Sequence, residues 1–143
     1  MDPISAAASI VGLLSAASKT SELLAKFVRR ARSATTLAQA VLSEVSDISA
    51  CLSQLQRYLL GSKATSRSHD DLLSLEQIVV ALSNCVLIFS ELEEAIDFLK
   101  KEDPMRTIQI AQWLWKEQDI RLLLSRLKSS QVSLNLMLTT MTW

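Results

Sequence analysis

The chain has 143 residues, of which 49% are hydrophobic, so it can bury the core of one domain. Only two glycines and two prolines occur. This scarcity of turn-forming residues excludes an all-β fold and predicts an all-α bundle of four long helices plus one short helix. Fifteen Lys/Arg balance fifteen Asp/Glu, and a net charge of zero offers no electrostatic basis for nucleic-acid binding.

The first helix is predicted to run from Pro3 to about Arg32. Asp2 can cap its first N–H groups, and proline fits the first turn without losing a hydrogen bond. No charge occurs from Pro3 to Ser18, and the apolar side chains follow two lines instead of one. These lines are Ile4, Val11, Leu14 and Ser18, and Ile10, Leu13, Ala17 and Leu24. A helix that is apolar nearly all round is typical of a bundle interior or of a lipid environment.

This uncharged run spans only ~24 Å, against a hydrocarbon thickness of ~30 Å. Stable spanning would therefore need oligomerisation, local thinning of the bilayer, or snorkelling by Lys19. The run lacks the basic leader of a cleaved secretory signal, which we exclude. We expect burial of this helix by its neighbours in the resting state, and we hypothesise that the same helix can leave the bundle and enter a membrane. The candidate insertion residues are Ile4, Ile10, Val11, Gly12, Leu13 and Leu14.

A basic cluster follows the uncharged run. It is a candidate binding patch for anionic lipid headgroups, although cations at a helix C-terminus also face solvent for simple electrostatic reasons. Gly12 is costly inside a helix and suggests close packing in some state, for which the neighbouring small residues would provide faces. The candidate headgroup residues are Lys19, Lys26, Arg29, Arg30 and Arg32.

The second helix is predicted to begin within Ser33–Thr36 and to end at Gly61, a common C-terminal residue. A polar loop is expected over 62–69, ending with His69. The third helix is predicted to run from Asp70 to Lys100 and Lys101. Its expected buried seam is Leu75, Ile78 or Val79, Leu82, Val86, Phe89, Leu92, Ile96 and Leu99.

Asp103-Pro104 interrupts the helical pattern. We predict a short helix over 106–116 and a long helix from about Glu117. Trp113 and Trp115 point to different sides of a helix, so one is expected in the core and the other partly exposed. The apolar seam of this last helix is interrupted near Ser130 and Gln131. We expect such an interruption either at a solvated end of the bundle or at a polar position that sets the register of helix packing. We expect the natural chain to continue beyond this single domain, 1–143.

Catalytic and metal-binding motifs are missing. The single histidine, His69, has no partner that could orient it, and the two glycines form no phosphate-binding loop. Cys51 and Cys85 are expected to be small buried hydrophobes in a reducing compartment. The carboxylates within 91–97 form an exposed acidic face, without the Glu-x-x-His pattern of a di-iron bundle. We therefore expect no enzymatic activity, no cofactor and no metal.

Two stretches resemble a known family. They are the opening MDPISAAASIVGLLSAA (1–17) and the C-terminal third, where Trp113-Leu114-Trp115-Lys116-Glu117 precedes Ile120, Leu123, Leu124, Leu127 and Leu134-Asn135-Leu136. They resemble the HeLo-like N-terminal domain of fungal STAND receptors, the NLR-like proteins. The middle of the chain matches only in its helical layout.

The resemblance implies a helical bundle akin to the fungal HeLo domain and to the four-helix domain of necroptotic pseudokinases. It implies a cell-death effector, as in heterokaryon incompatibility and fungal innate immunity, that oligomerises and inserts its N-terminal helix into membranes. Its expected partners are other copies of itself, anionic lipids and downstream NLR-type domains. Its expected location is the cytoplasm at rest and the plasma membrane after activation. The alternative is a helical protein-protein interaction module without membrane activity.

Overall fold

The structure is a computed structural model that describes residues 3–31, 35–61, 69–100 and 106–141. Within these ranges the chain forms four long α-helices and one 3-10 turn, so the predicted all-α bundle is confirmed. The helices are α1 (Pro3–Arg30), α2 (Thr35–Gly61), α3 (His69–Ala95) and α4 (Arg106–Met141). The 3-10 turn, Asp97–Lys100, follows α3 directly.

Each helix packs against two others. α1 contacts α2 and α3, and α4 contacts the same two helices, so the order around the bundle is α1, α2, α4, α3. The buried side chains come from all four helices and form one core, whose largest members are Trp113, Phe89, Ile10, Leu24, Ile48, Leu52, Leu55, Ile78, Leu92, Ile96, Ile120 and Leu127. The bundle is therefore held together along its whole length.

The predicted ends of α1 and α2 agree with the structure within two residues. α1 ends at Arg30, and the N–H of Ala31 donates to the carbonyl of Phe27 at 2.9 Å. Arg32, Ser33 and Ala34 lie outside the described residues, and α2 begins at Thr35, within the predicted start. α2 ends at Gly61 as predicted.

The third helix differs from the prediction at both ends. His69, which we expected in a loop, is the first residue of α3. The helix stops at Ala95 instead of continuing to Lys100, because the backbone tightens into the 3-10 turn. There the N–H of Leu99 donates to the carbonyl of Ile96 at 2.9 Å. A shorter repeat of this kind is common at helix ends.

One residue of the predicted α3 seam was also wrong. Val86 is exposed, and Cys85 and Ile88 lie in the core instead. A step of four residues from Leu82 leads past the buried face of a helix with ~3.6 residues per turn, whereas a step of three reaches Cys85. The other described seam positions point inward, with Leu75 half-buried.

The predicted short helix at 106–116 is not separate. It forms the first three turns of α4, which continues without a break through Lys116 and Glu117. No proline or glycine follows Pro104 in the chain, so nothing in the sequence ends the helix there. The mixed apolar pattern that we interpreted as two helices therefore belongs to one continuous helix.

Candidate functional site

The candidate insertion residues of α1 divide between two faces of the helix. Ile10 and Leu13 lie in the core, and Leu14 is half-buried against it. Ile4, Val11 and Gly12 are exposed. The two apolar lines of the sequence are therefore one buried line and one outer line. The neighbouring helices bury the inner line of α1, as expected for the resting state, and leave its outer line open to solvent.

The outer line of α1 also carries small side chains. Ala8, Gly12 and Ser15 are exposed, and a Cβ built on Gly12 would meet no atom within 4 Å. The close packing that we expected at Gly12 is therefore absent from this state. A flat uncharged surface of this kind allows close approach of another helix in a membrane.

Thr20 is a polar residue on the buried face of α1. Its side chain is almost completely inaccessible, and its hydroxyl oxygen makes no hydrogen bond in the described structure. A buried hydroxyl without a partner costs roughly 1–3 kcal/mol. Thr20 therefore weakens the attachment of α1 to the rest of the bundle.

The basic cluster is only partly assembled in the structure. Arg29 and Arg30 lie together in the last turn of α1 and have no ion pair among the described residues. Lys26 pairs with Glu22 at 3.6 Å. Lys19 is exposed but ten residues before Arg29, a distance of about 15 Å along the helix. Arg32 lies outside the described residues.

α3 carries an outer apolar surface that the sequence analysis did not assign. Val80, Val86 and Leu87 are exposed there. Among the described residues, Leu75–Ala95 is the one helical segment that is long and apolar enough to cross a membrane, with a mean hydropathy of 1.6 and 33% of its residues buried. α1 does not meet the same criteria. Core helices of soluble proteins also meet them, so this feature is weak evidence for membrane insertion.

α4 has an exposed apolar line as well. Ile108, Trp115 and Leu122 are exposed and lie seven residues apart, and 88% of Trp115 is accessible to solvent. Trp113, two residues earlier, is 1% exposed, which confirms the predicted division between the two tryptophans. The sequence contains this seven-residue spacing. The sequence analysis did not assign it, because the inner seam of the same helix is a stronger apolar pattern.

The interrupted seam of α4 borders a groove instead of a solvated end. Ser125, Ser129, Ser130 and Ser133 face α3 and leave a space of about 290 Å³ against Ala81, Asn84 and Ile88. Near this groove, Arg126 of α4 forms an ion pair with Glu91 of α3. Two further grooves lie farther toward the start of α4, one against α3 and one against α2.

Polar groups also lie along α2 where it faces α4. One carboxylate oxygen of Glu44 is out of contact with solvent and makes no hydrogen bond in the described structure. Burial, followed by repulsion from Asp47, raises the pKa of Glu44, and Lys128 partly opposes this shift. In the next turns the thiol of Cys51 donates to Oδ1 of Asn135 across 3.9 Å.

The two cysteines are buried and unbonded, as predicted. Burial raises the pKa of Cys85 to about 11, with a smaller contribution from Cys51. Within the part of the chain that the structure describes, no group of three or more His, Cys, Asp or Glu side chains could hold a metal ion.

Comparison with known proteins adds a family to this description. The model of one protein family, described as pigment biosynthesis cluster protein PigL N-terminal, matches residues 1–143. No curated protein and no solved structure matches the chain. The family agrees with the expectation of a fungal helical N-terminal domain. The chain belongs to the PigL N-terminal domain family.

Proposed function

We propose that this domain is a cell-death effector of the HeLo-like kind, carried by a fungal NLR-like protein, and that it acts on membranes through α1. The observation that carries the proposal is the outer line of α1. Ile4, Val11 and Gly12 are exposed in the folded bundle, on a helix with no charge before Lys19. The family is described as an N-terminal domain, which supports a role in delivering the signal of a longer protein.

The energetic case depends on the inner line of α1. Burial of each large side chain such as Ile10 or Leu13 is worth ~1.5–3 kcal/mol relative to water. A bilayer interior supplies nearly the same hydrophobic free energy as the bundle core. The hydrophobic free energy therefore changes little when α1 moves from the bundle to the bilayer. Smaller contributions decide whether α1 stays in the bundle or leaves it.

Lost packing against α2 and α3 opposes the release of α1. Moving Lys19 into the bilayer would cost a further ~2.5–3.5 kcal/mol. Three features favour release. The buried hydroxyl of Thr20 has no hydrogen-bond partner among the described residues, the small residues beside Gly12 suit contact with other copies, and Arg29 and Arg30 can attract anionic headgroups at ~1 kcal/mol each.

Dye release from vesicles that contain phosphatidylserine tests the role of α1. We expect the wild-type domain to cause leakage and Val11→Glu to abolish it. Val11 is 56% exposed, so the substitution leaves the folded bundle intact. Leu13→Glu is a poorer variant, because Leu13 is buried and its replacement would unfold the domain.

Val80→Glu is the matched control. Val80 is 61% exposed on α3, so the same change in charge and the same loss of apolar surface occur on the rival segment. Retained leakage by Val80→Glu supports α1 as the inserting helix. If Val80→Glu abolishes leakage while Val11→Glu does not, α3 is the inserting segment and the assignment of α1 is wrong.

The second candidate is a protein-protein interaction module without membrane activity. The exposed Val80, Val86 and Leu87 of α3 favour it, because they form an apolar surface on a folded domain. This candidate predicts that wild-type protein neither binds nor permeabilises vesicles in any oligomeric state. That result would overturn the membrane proposal and would leave the interaction module.

A further inference from the structure

The outer surface of α4 carries a second heptad pattern, which we call the outer seam. Its residues are all exposed, and none of them is charged. They are Ile108, Trp115, Leu122, Ser129 and Leu136 at one heptad position and Ala111, Gln118, Ser125, Val132 and Thr139 at the other. The outer seam extends over about 47 Å of helix. A heptad pattern sustained over this length is typical of a helix that packs against another helix.

Large apolar side chains project from the outer seam. Trp115 is 88% exposed, and Leu122 and Leu136 are more than half exposed. The opposite side of α4, which buries Trp113 and Ile120, already attaches the helix to α2 and α3. The outer seam therefore does not hold one copy of the domain together, and its burial against another surface would be favourable.

The outer seam is complementary to itself when two copies run antiparallel. Each residue of one heptad position then lies opposite a residue of the other position. We consider the register in which the two seams overlap completely, so that large side chains face smaller ones and can interdigitate. The facing pairs are Trp115 with the partner's Val132, Leu122 with the partner's Ser125, Leu136 with the partner's Ala111, Gln118 with the partner's Ser129, and Ile108 with the partner's Thr139.

Charges beside the outer seam favour the same orientation. Asp119 and Arg126 lie on its α3 side, where both line a groove against α3. In the antiparallel register Asp119 lies beside the partner's Arg126, and the two-fold axis repeats this contact between opposite charges. A parallel pair would separate these two residues. On the other side of the seam Arg121 approaches the partner's Lys128, but Arg121 already pairs with Glu117 at 2.6 Å.

Trp115 has a matching recess on the partner. In this register Trp115 lies opposite the partner's Val132, at the level of Ser129 and Ser133, which line the groove of about 290 Å³ between α3 and α4. A cavity of about 150 Å³ holds a benzene ring, so this groove can receive an indole. The hydroxyls of Ser129 and Ser133 make no hydrogen bond among the described residues, so their oxygens can accept the indole N–H.

We infer that two copies of the folded domain pair through the outer seams of α4, antiparallel about a two-fold axis near Leu122 and Ser125, with Trp115 of each copy in the α3–α4 groove of the other. The same patch serves on both copies, as two-fold symmetry requires. This interface lies on the helix diagonally opposite α1 and leaves the outer line of α1 free. It belongs to the resting domain and does not depend on membrane activity.

The dimensions of the outer seam set the expected affinity. A strip about 47 Å long and about 10 Å wide covers roughly 500 Å² of each copy. Stable interfaces bury about 800 Å² per partner. We therefore expect a dissociation constant in the micromolar range. Below this concentration the monomer prevails, and Trp115→Ala leaves its stability unchanged.

Sedimentation equilibrium measures the association directly. Between about 1 μM and about 500 μM, the wild type should change from monomer to dimer. Trp115→Ala should raise the dissociation constant at least about tenfold, because it removes the side chain at the centre of the contact. Val11→Ala is the matched control. Val11 is 56% exposed on α1, diagonally across the bundle, so its replacement should leave the dissociation constant unchanged.

Cysteine crosslinking with a short bismaleimide tests the orientation. The native Cys51 and Cys85 are buried, so introduced cysteines on the surface react first. Ser125→Cys lies next to the two-fold axis and should crosslink to its own equivalent. Leu136→Cys should not, because it lies opposite the partner's Ala111, about 37 Å along the helix from its equivalent. A mixture of Leu136→Cys and Ala111→Cys should crosslink.

Each outcome either supports or overturns the inference. A monomer throughout the concentration range overturns it. A dimer that Trp115→Ala leaves as tight, or that Val11→Ala weakens, uses another surface and also overturns it. Crosslinking of Leu136→Cys to its own equivalent would show a parallel pair, contrary to the inferred orientation. None of these measurements uses vesicles, so the leakage assay decides the membrane proposal separately.

Discussion

The ring of Phe27 on α1 packs against the indole of Trp113 on α4, with centroids 4.9 Å apart and an angle of 35° between the ring planes. The two helices lie diagonally across the bundle, so this aromatic pair crosses the core near the end where α1 finishes and α4 begins. Such pairs contribute roughly 0.5–1.5 kcal/mol beyond the area that they bury. The contact couples the helix that we propose to insert into the membrane to the helix diagonally opposite.

Replacement of the two neighbouring tryptophans should have opposite consequences for stability. Trp113→Ala removes a core side chain and should lower the free energy of unfolding by about 3–5 kcal/mol. Trp115→Ala should change it by less than about 0.5 kcal/mol, because Trp115 is exposed. Urea denaturation followed by circular dichroism measures both. Equal destabilisation by the two variants would contradict the burial described here.

Gly12→Ala should stabilise the resting bundle. The added Cβ meets no atom within 4 Å, and Gly12 lies inside α1. The gain should be about 1 kcal/mol, the difference in helix propensity between alanine and glycine. Thermal denaturation measures it. A lower melting temperature for Gly12→Ala would show that this face of α1 is covered in the resting state, for instance by a second copy.

Thr20→Val should also stabilise the domain, for a different reason. Valine has nearly the shape of threonine and removes a buried hydroxyl that lacks a hydrogen-bond partner. We expect a gain of about 1 kcal/mol in the free energy of unfolding. If release of α1 precedes membrane insertion, vesicle leakage should slow in the same variant. A destabilised Thr20→Val would indicate that the hydroxyl has a partner, such as an ordered water.

Glu44→Gln should change the dependence of stability on pH. The folded protein holds the pKa of Glu44 above its ordinary value of 4.5, so ionisation of this residue destabilises the fold as pH rises through the folded pKa. Glutamine removes that penalty. The variant should therefore be more stable than the wild type at pH 7, by up to about 1 kcal/mol, since water screens a half-exposed side chain.

The difference between Glu44→Gln and the wild type should decrease toward zero below pH 4.5, where the carboxyl is protonated in both folded and unfolded chains. Melting temperatures across this range provide the measurement. Asp47→Asn is a useful control, because Asp47 is exposed and contributes to the pKa of Glu44 only through repulsion. An advantage of Glu44→Gln that persists at low pH would show that ionisation is not its cause.

The sequence predicted the helices better than it predicted the faces of the helices. Apolar spacing and the scarcity of glycine located four long helices, and Gly61 correctly ended α2. The division of α4 at Glu117 was wrong because a change in the apolar pattern does not end a helix, and no proline or glycine follows Pro104. A seven-residue pattern does not decide which of two adjacent apolar residues faces the core. For this reason Val86 was wrongly placed in the core.

The candidate site also shows that helices are easier to predict from the sequence than the faces that they expose. The sequence by itself determined the all-α class and an uncharged N-terminal helix followed by cations. Only the tertiary structure decided that Ile10 faces the core while Val11 faces solvent, and that Trp113 is buried while Trp115 is exposed. Helical periodicity fixes which residues share a face, but the packing of four helices decides which of those faces water reaches.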